Sequence, residues 1–280
     1  MLTARNFVAL MVVGLTAVAV PAQGDEIDLV PDDASPPPPE AKESTAPATT
    51  NANASHAAVS VSVTIDGKTH ACNEQSAQSF LVRGSWFPKS TDAEKIKEGR
   101  KLFNESLKYR TEKYGYFEGF GSKHLNPNAP SHYAKTTSFM GMNVQVHERI
   151  IPALKCVEAA LKANHADAEY HPRAMGGIRF KNTYRGFEIS NHVYGIAVDI
   201  EPDRNSCCGC VAPWPDNPLC KAKGKTIWER MAMPRSWVET FERYGFYWLG
   251  HDVLMDTMHF EFLGDPDKIL GAEPSSVAAR

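Results

Sequence analysis

Ser190-Asn-His192-Val-Tyr-Gly195-Ile-Ala197-Val-Asp199-Ile200 is the stretch that decides what this chain can fold into. Its second half, residues 196–200, is a short β-branched run that places Ala197 and Asp199 on one strand face and Ile196, Val198 and Ile200 on the other. An acid thus enters a sheet otherwise made for burial. A lone buried carboxylate costs several kcal/mol, so Asp199 calls for a cation beside it, and His192 near the strand start is a natural co-ligand.

Much later, Met258-His259-Phe260-Glu261-Phe262 repeats the design, with His259 and Glu261 on one face and the three apolar side chains on the other. Two histidines and one aspartate suffice for a catalytic zinc ion, because three protein ligands leave a fourth position for water. Asp256 precedes His259 by three residues, close enough to serve that water without ligating the metal. A single histidine is most often a hydrogen-bonded core or surface residue, and a single aspartate can simply pair with an arginine. Two strand-borne polar insertions between apolar neighbours, each with a histidine and with a spare acid nearby, point instead to a site.

Outward from these motifs, the 280 residues allow one or two domains, and a hydrophobic fraction of 42% is that of a globular chain. Thirty Lys and Arg against 33 Asp and Glu give a formal charge of -3, which excludes the polycationic signature selected by nucleic acid or anionic membranes. Arg5 followed by the apolar run 7–20 and by Val20-Pro21-Ala22 reads as a secretory signal peptide over residues 1–22, too short for a comfortable span, so no stable membrane segment is expected after cleavage. No Cys directly follows it, which argues against a lipoprotein. Residues 23–58, rich in Pro, Ala, Thr, Asn and Ser, form an expected disordered linker.

The pattern of elements is α+β. Alternation over 59–65 ending at Asp66-Gly67 predicts a strand and turn, and residues 92–109 a helix. Gly, aromatic and Asn-Pro content over 114–133 predicts irregular structure. Residues 144–163 carry apolar side chains at helical steps, with Pro152 marking a kink or a start near Ile151. A helix over 237–244 precedes a terminal strand over 258–262. Residues 59–137 form an N-terminal extension, 138–265 the core, 203–225 a cysteine-rich insertion that borders the cleft, and 266–280 a tail. Cys72, Cys156, Cys207, Cys208, Cys210 and Cys220 are an even set, read as disulfides of undetermined pairing, since Cys207-Cys208-Gly-Cys210 lacks zinc-ribbon spacing.

The two motifs resemble the zinc D-alanyl-D-alanine carboxypeptidases of the VanY type. These belong to a wider group with lysostaphin, the L-alanyl-D-glutamate endopeptidases of phage endolysins and the hedgehog signalling domain. The group's pattern is S-x-H-x-x-G-x-A-x-D, met by Ser190, His192, Gly195, Ala197 and Asp199, then an acid, two residues, His and x-Glu, met by Asp256, His259 and Glu261. The resemblance extends loosely from Ser138 to Gly264. It implies a hedgehog-like or DD-peptidase-like fold, with helices on a small antiparallel sheet that carries one zinc ion on His192, Asp199 and His259. It also implies Asp256 as catalytic acid and base, and an upstream arginine that orients substrate, either Arg185, which is favoured, or Arg179. Ser190 and Glu261 stand behind the ligands, Glu261 orienting a ligand histidine.

The implied substrate is a peptidoglycan stem peptide in the periplasmic or extracellular envelope, cut at a terminal D-Ala-D-Ala bond. The alternatives are an L-alanyl-D-glutamate endopeptidase, a zinc-stabilised binding module without turnover, and a disulfide-stapled adhesion protein.

Overall fold

Val61 and Val63 point inward from an edge whose other face is Ser and Thr, and this alternation opens the described part of the chain. The computed structural model describes residues 60–184 and 188–271; the expected signal peptide and linker, Arg185 and the last nine residues lie outside them. Strand β1, Ser62–Ile65, turns through Asp66 and Gly67, both with positive φ, into β2, Lys68–Ala71. Asp92 caps helix α1, Ala93–Tyr114, by accepting from the Glu94 N–H at 2.9 Å. The helix is longer than the predicted 92–109, and it buries Phe103, Leu107, Arg110, Thr111 and Tyr114 on one stripe.

Among the described residues, 115–129 hold neither helix nor strand, as the composition predicts, and 130–133 make one 3-10 turn. Strands β3, Ala134–Phe139, and β4, Met142–His147, then form a hairpin. This corrects the predicted helix over 144–163: Val144 and Val146 alternate into the core, and helix α2 begins only at Ile151, running Ile151–Ala163. Pro152 sets the boundary because a proline lacks an N–H, which costs nothing in a first helical turn and a hydrogen bond anywhere later.

Four strands form the sheet that carries the motifs. Strand β5, Met175–Gly176, pairs with β6, Ala197–Ile200. The one-turn helix α3, Pro218–Lys221, and helix α4, Arg235–Arg243, precede β7, Phe246–Trp248, and β8, His259–Phe262. The order is β5-β6-β8-β7, antiparallel throughout. Register places Asp199 opposite His259 and Ala197 opposite Glu261. Because side chains alternate, Val198, Phe260 and Phe262 all face the opposite side, where Phe241 of α4 stacks on Phe260 with ring centroids 4.3 Å apart. The sheet thus has an aromatic face packed on helices and a polar face that is also buried. Helices packed on small antiparallel sheets agree with the expected α+β class.

The cysteines pair as Cys72–Cys156, Cys207–Cys210 and Cys208–Cys220. The first ties the end of β2 to α2. Residues 206–209 run antiparallel along 254–257: Gly209 N–H donates to Leu254 C=O at 2.7 Å, Cys207 bridges Asp256, and Thr257 N–H donates to Ser206 C=O. Gly209 is required there, since a Cβ would lie 2.5 Å from the Val253 carbonyl oxygen. At the other end, Asn73 N–H donates to Ile269 C=O and Gly271 N–H to Ala71 C=O, so residues 269–271 close on the β2 edge.

Candidate metal centre

The turn into β6 presents His192. Ser190 Oγ accepts from the His192 N–H, Gly195 N–H donates to His192 C=O, and Gly195 takes φ 70° to complete the turn. A Cβ at Gly195 would come within 2.8 Å of the His147 nitrogen, so the turn sits close against β4. His192 therefore lies on the turn before the strand rather than on it, and only Asp199 and His259 are borne by paired strands.

His192, Asp199 and His259 converge with their ligand atoms within 4.8 Å of one another, and all three are buried. His192 Nδ1 donates to the Gly177 carbonyl at 2.7 Å, which leaves a lone pair on its Nε2. His259 Nε2 donates to Glu261 Oε1 at 3.2 Å, which turns its Nδ1 inward. His192 Nε2 then stands 3.1 Å from His259 Nδ1 and 3.1 Å from Asp199 Oδ2, while His259 Nδ1 stands 2.8 Å from Asp199 Oδ1. Three acceptor-capable atoms this close repel unless a proton or a cation lies among them. The outer nitrogens are both committed, and this donor set of two imidazoles and one carboxylate is one that zinc accepts. The residues fit the ion.

Electrostatics says the same of the bare protein. Burial alone would lower His259, but its hydrogen bonds to the Asp199 and Glu261 carboxylates outweigh it and raise the imidazole to about 10. His259 thereby supplies a positive charge where two acids demand one. Burial lowers His192, against the pull of Asp199. Asp199 is penalised by burial, yet its hydrogen bonds to both histidines hold it well below the usual carboxylate range.

Asp256 sits beside this cluster with Oδ1 buried and no hydrogen-bond partner. Burial, assisted by repulsion from Asp199, raises its carboxyl from 3.8 to about 6. Arg179 donates from its guanidinium to Asp199 Oδ2 and from its backbone N–H to His192 C=O, and its side chain is 44% exposed, so it stands at the rim with a face toward solvent. Arg185, the favoured alternative, lies outside the described residues. Ser190 supports the His192 turn and Glu261 holds the His259 ring, as their expected places behind the ligands require.

One contributor has no counterpart in the sequence, and a second is there only in outline. The Gly177 carbonyl fixes the His192 tautomer, and backbone acceptors leave no side-chain signal. The Cys207–Cys210 disulfide lies with both sulfurs within 4.8 Å of an Asp256 carboxylate oxygen, which puts the cysteine-rich insertion beside the candidate acid.

Residues 185–262 match the family model described as D-alanyl-D-alanine carboxypeptidase, a span shorter than half of the chain that carries His192, Asp199, Asp256, His259 and Glu261. The match supports a peptidase. No curated protein and no solved structure matches the chain.

Proposed function

We propose that the chain is an exported zinc peptidase that hydrolyses peptidoglycan stem peptides, in first place the terminal D-Ala-D-Ala bond. The observation that carries this is the meeting of His192 Nε2, His259 Nδ1 and Asp199 at about 3 Å with both outer ring nitrogens already bonded. These three residues would hold the ion. When bound, zinc supplies a Lewis acid for the scissile carbonyl and acidifies water toward neutrality.

The remaining chemistry belongs to the chain. Asp256, with a free buried oxygen and a raised carboxyl, takes the proton of the attacking water and returns it to the leaving amine. Arg179, half-exposed at the rim, offers its guanidinium to the developing oxyanion or to a substrate carboxylate. Glu261 keeps the His259 ring from turning. The family match, three disulfides and the expected signal peptide are consistent with work in the cell envelope, and among the described residues no helix is long and apolar enough to cross a membrane.

The test is digestion of a D-Ala-D-Ala-ended pentapeptide and of purified sacculi, with products weighed by mass spectrometry and metal content measured on the same preparation. Loss of one D-Ala from the pentapeptide, abolished by chelator and restored by zinc, is the expected result. Cleavage inside the stem would move the assignment to the L-alanyl-D-glutamate endopeptidase, and a metal-free protein that cuts neither substrate would end the peptidase proposal.

A further inference from the structure

Arg110 is the most deeply buried charge in the described structure outside the metal cluster: it is 1% exposed and lies on α1, which the family match does not reach. A guanidinium so far from water costs several kcal/mol unless its donors and charge are answered. Its donors are answered nearby. Nε donates to Ser106 C=O at 3.2 Å and one Nη to Ser106 Oγ at 3.3 Å. The cation lies between two rings, 5.0 Å from that of Trp86 and 5.2 Å from that of Tyr194.

Its charge is answered further on. The remaining Nη donates to Asn191 Oδ1 at 3.0 Å, which leaves the Asn191 amide nitrogen as a donor, and Glu261 lines the same small cavity as Asn191. Glu261 accepts from His259 Nε2, the nitrogen opposite the one that faces the cluster. A row of neighbouring polar groups thus runs from a buried cation on α1, through the residue between Ser190 and His192 and the cavity it shares with Glu261, to the back of a ligand histidine.

We propose that Arg110 is a positioning residue for the metal centre: through Asn191 it fixes the Glu261 carboxylate, and through Glu261 the ring of His259. This rests on the metal-centre reading above and adds to it a component from outside the matched residues. Arg110 touches neither metal nor substrate. Through Asn191 its positive charge stands behind Glu261, the acid that holds the His259 ring.

The experiment is a double-substitution cycle on the whole mature protein, with R110M and E261Q alone and together, plus R110K. Zinc affinity is read by competition with a chromogenic chelator, and stability by urea denaturation in excess chelator. R110M is expected to weaken zinc binding by ~10-fold or more, as loss of groups behind a ligand does. In the E261Q background the same change should alter affinity by less than about twofold, within the error of additivity. R110K, which keeps the charge, should recover part of the loss. An equal loss of affinity from R110M in the wild-type and E261Q backgrounds would show Arg110 to be a packing residue only, and an unchanged affinity in R110M would remove the path altogether.

If the wild-type protein bound no zinc, the metal-centre reading would fail by itself. The stability cycle in chelator then decides the coupling: a smaller loss from R110M in the E261Q background supports it, and equal losses overturn it.

Discussion

Asp256 is the residue at which chemistry and stability oppose each other. Its carboxyl titrates at about 6 in the fold against 3.8 in the open chain, chiefly because burial disfavours its anion. A raised folded value contributes stability that is whole below the unfolded value and is lost as pH climbs through the folded one. The metal-free protein should therefore lose stability between about pH 4 and pH 6 relative to Asp256→Asn, up to ~3 kcal/mol and on a plateau above that. Denaturation of both proteins in chelator from pH 4 to 8 reads this directly, and parallel curves would refute it. The same variant should keep its zinc while losing ~100-fold or more in turnover, since it can no longer accept a proton. Asp199, His259 and Glu261 are legible because they interleave with apolar residues in two short strands, and His192 and Asp256 because they stand shortly before those strands. Arg179 and Arg185 can both be named from the sequence, which favours Arg185, but a single arginine is by default a surface charge and the pattern alone does not decide between them. Arg110 escapes the sequence reading because the predicted helix stops at Tyr109, one residue short of it; its place three after Leu107 and four before Tyr114 is the signal that a buried stripe holds a cation.

At the scale of elements, the cysteine-rich segment acts as an added strand for the Asp256 loop. Its pairing of 206–209 with 254–257 supplies backbone hydrogen bonds to a stretch that otherwise spans only the short way from β7 to β8, and the Cys207–Cys210 bond pins one end of it. Replacing Cys207 and Cys210 together by Ser should leave zinc content unchanged and reduce kcat by ~10-fold or more, the cost of letting a catalytic group drift from its productive position. A double variant with unaltered kcat would show that the loop holds Asp256 unaided. Proximity of this insertion to the cleft is readable, because a departure from the family pattern lies between the two motifs. The pairing is not, because adjacent Cys207 and Cys208 can each reach several partners along the sequence. The β3–β4 hairpin is hidden for a related reason. Val146 suits a helical stripe with Ile150 and Leu154 at four-residue steps as well as a strand with Val144, and Pro152 favours a boundary without saying what precedes it.

For the molecule as a whole, the matched span 185–262 is not a self-sufficient unit. Val61, Val63, Trp86, Phe103, Leu107 and Tyr114 share one core with Phe139, Val146, Leu154, Ile196, Phe260 and Phe262, so the N-terminal extension and the motif-bearing sheet bury each other. Each large apolar side chain so buried is worth roughly 1.5–3 kcal/mol, and six of them together match the ~5–15 kcal/mol by which a domain is stable at all. Removing them would also strip Arg110 from behind Asn191 and cut the Cys72–Cys156 link between β2 and α2. A fragment of residues 138–271 should consequently show no cooperative unfolding transition and no tight zinc binding, whereas residues 60–271 should show both. Circular dichroism melts with and without zinc separate the two. A cooperative, zinc-stabilised transition in the shorter fragment would mean that the extension is an accessory laid on a finished peptidase core, and that the path from α1 to His259 is not needed to build the site.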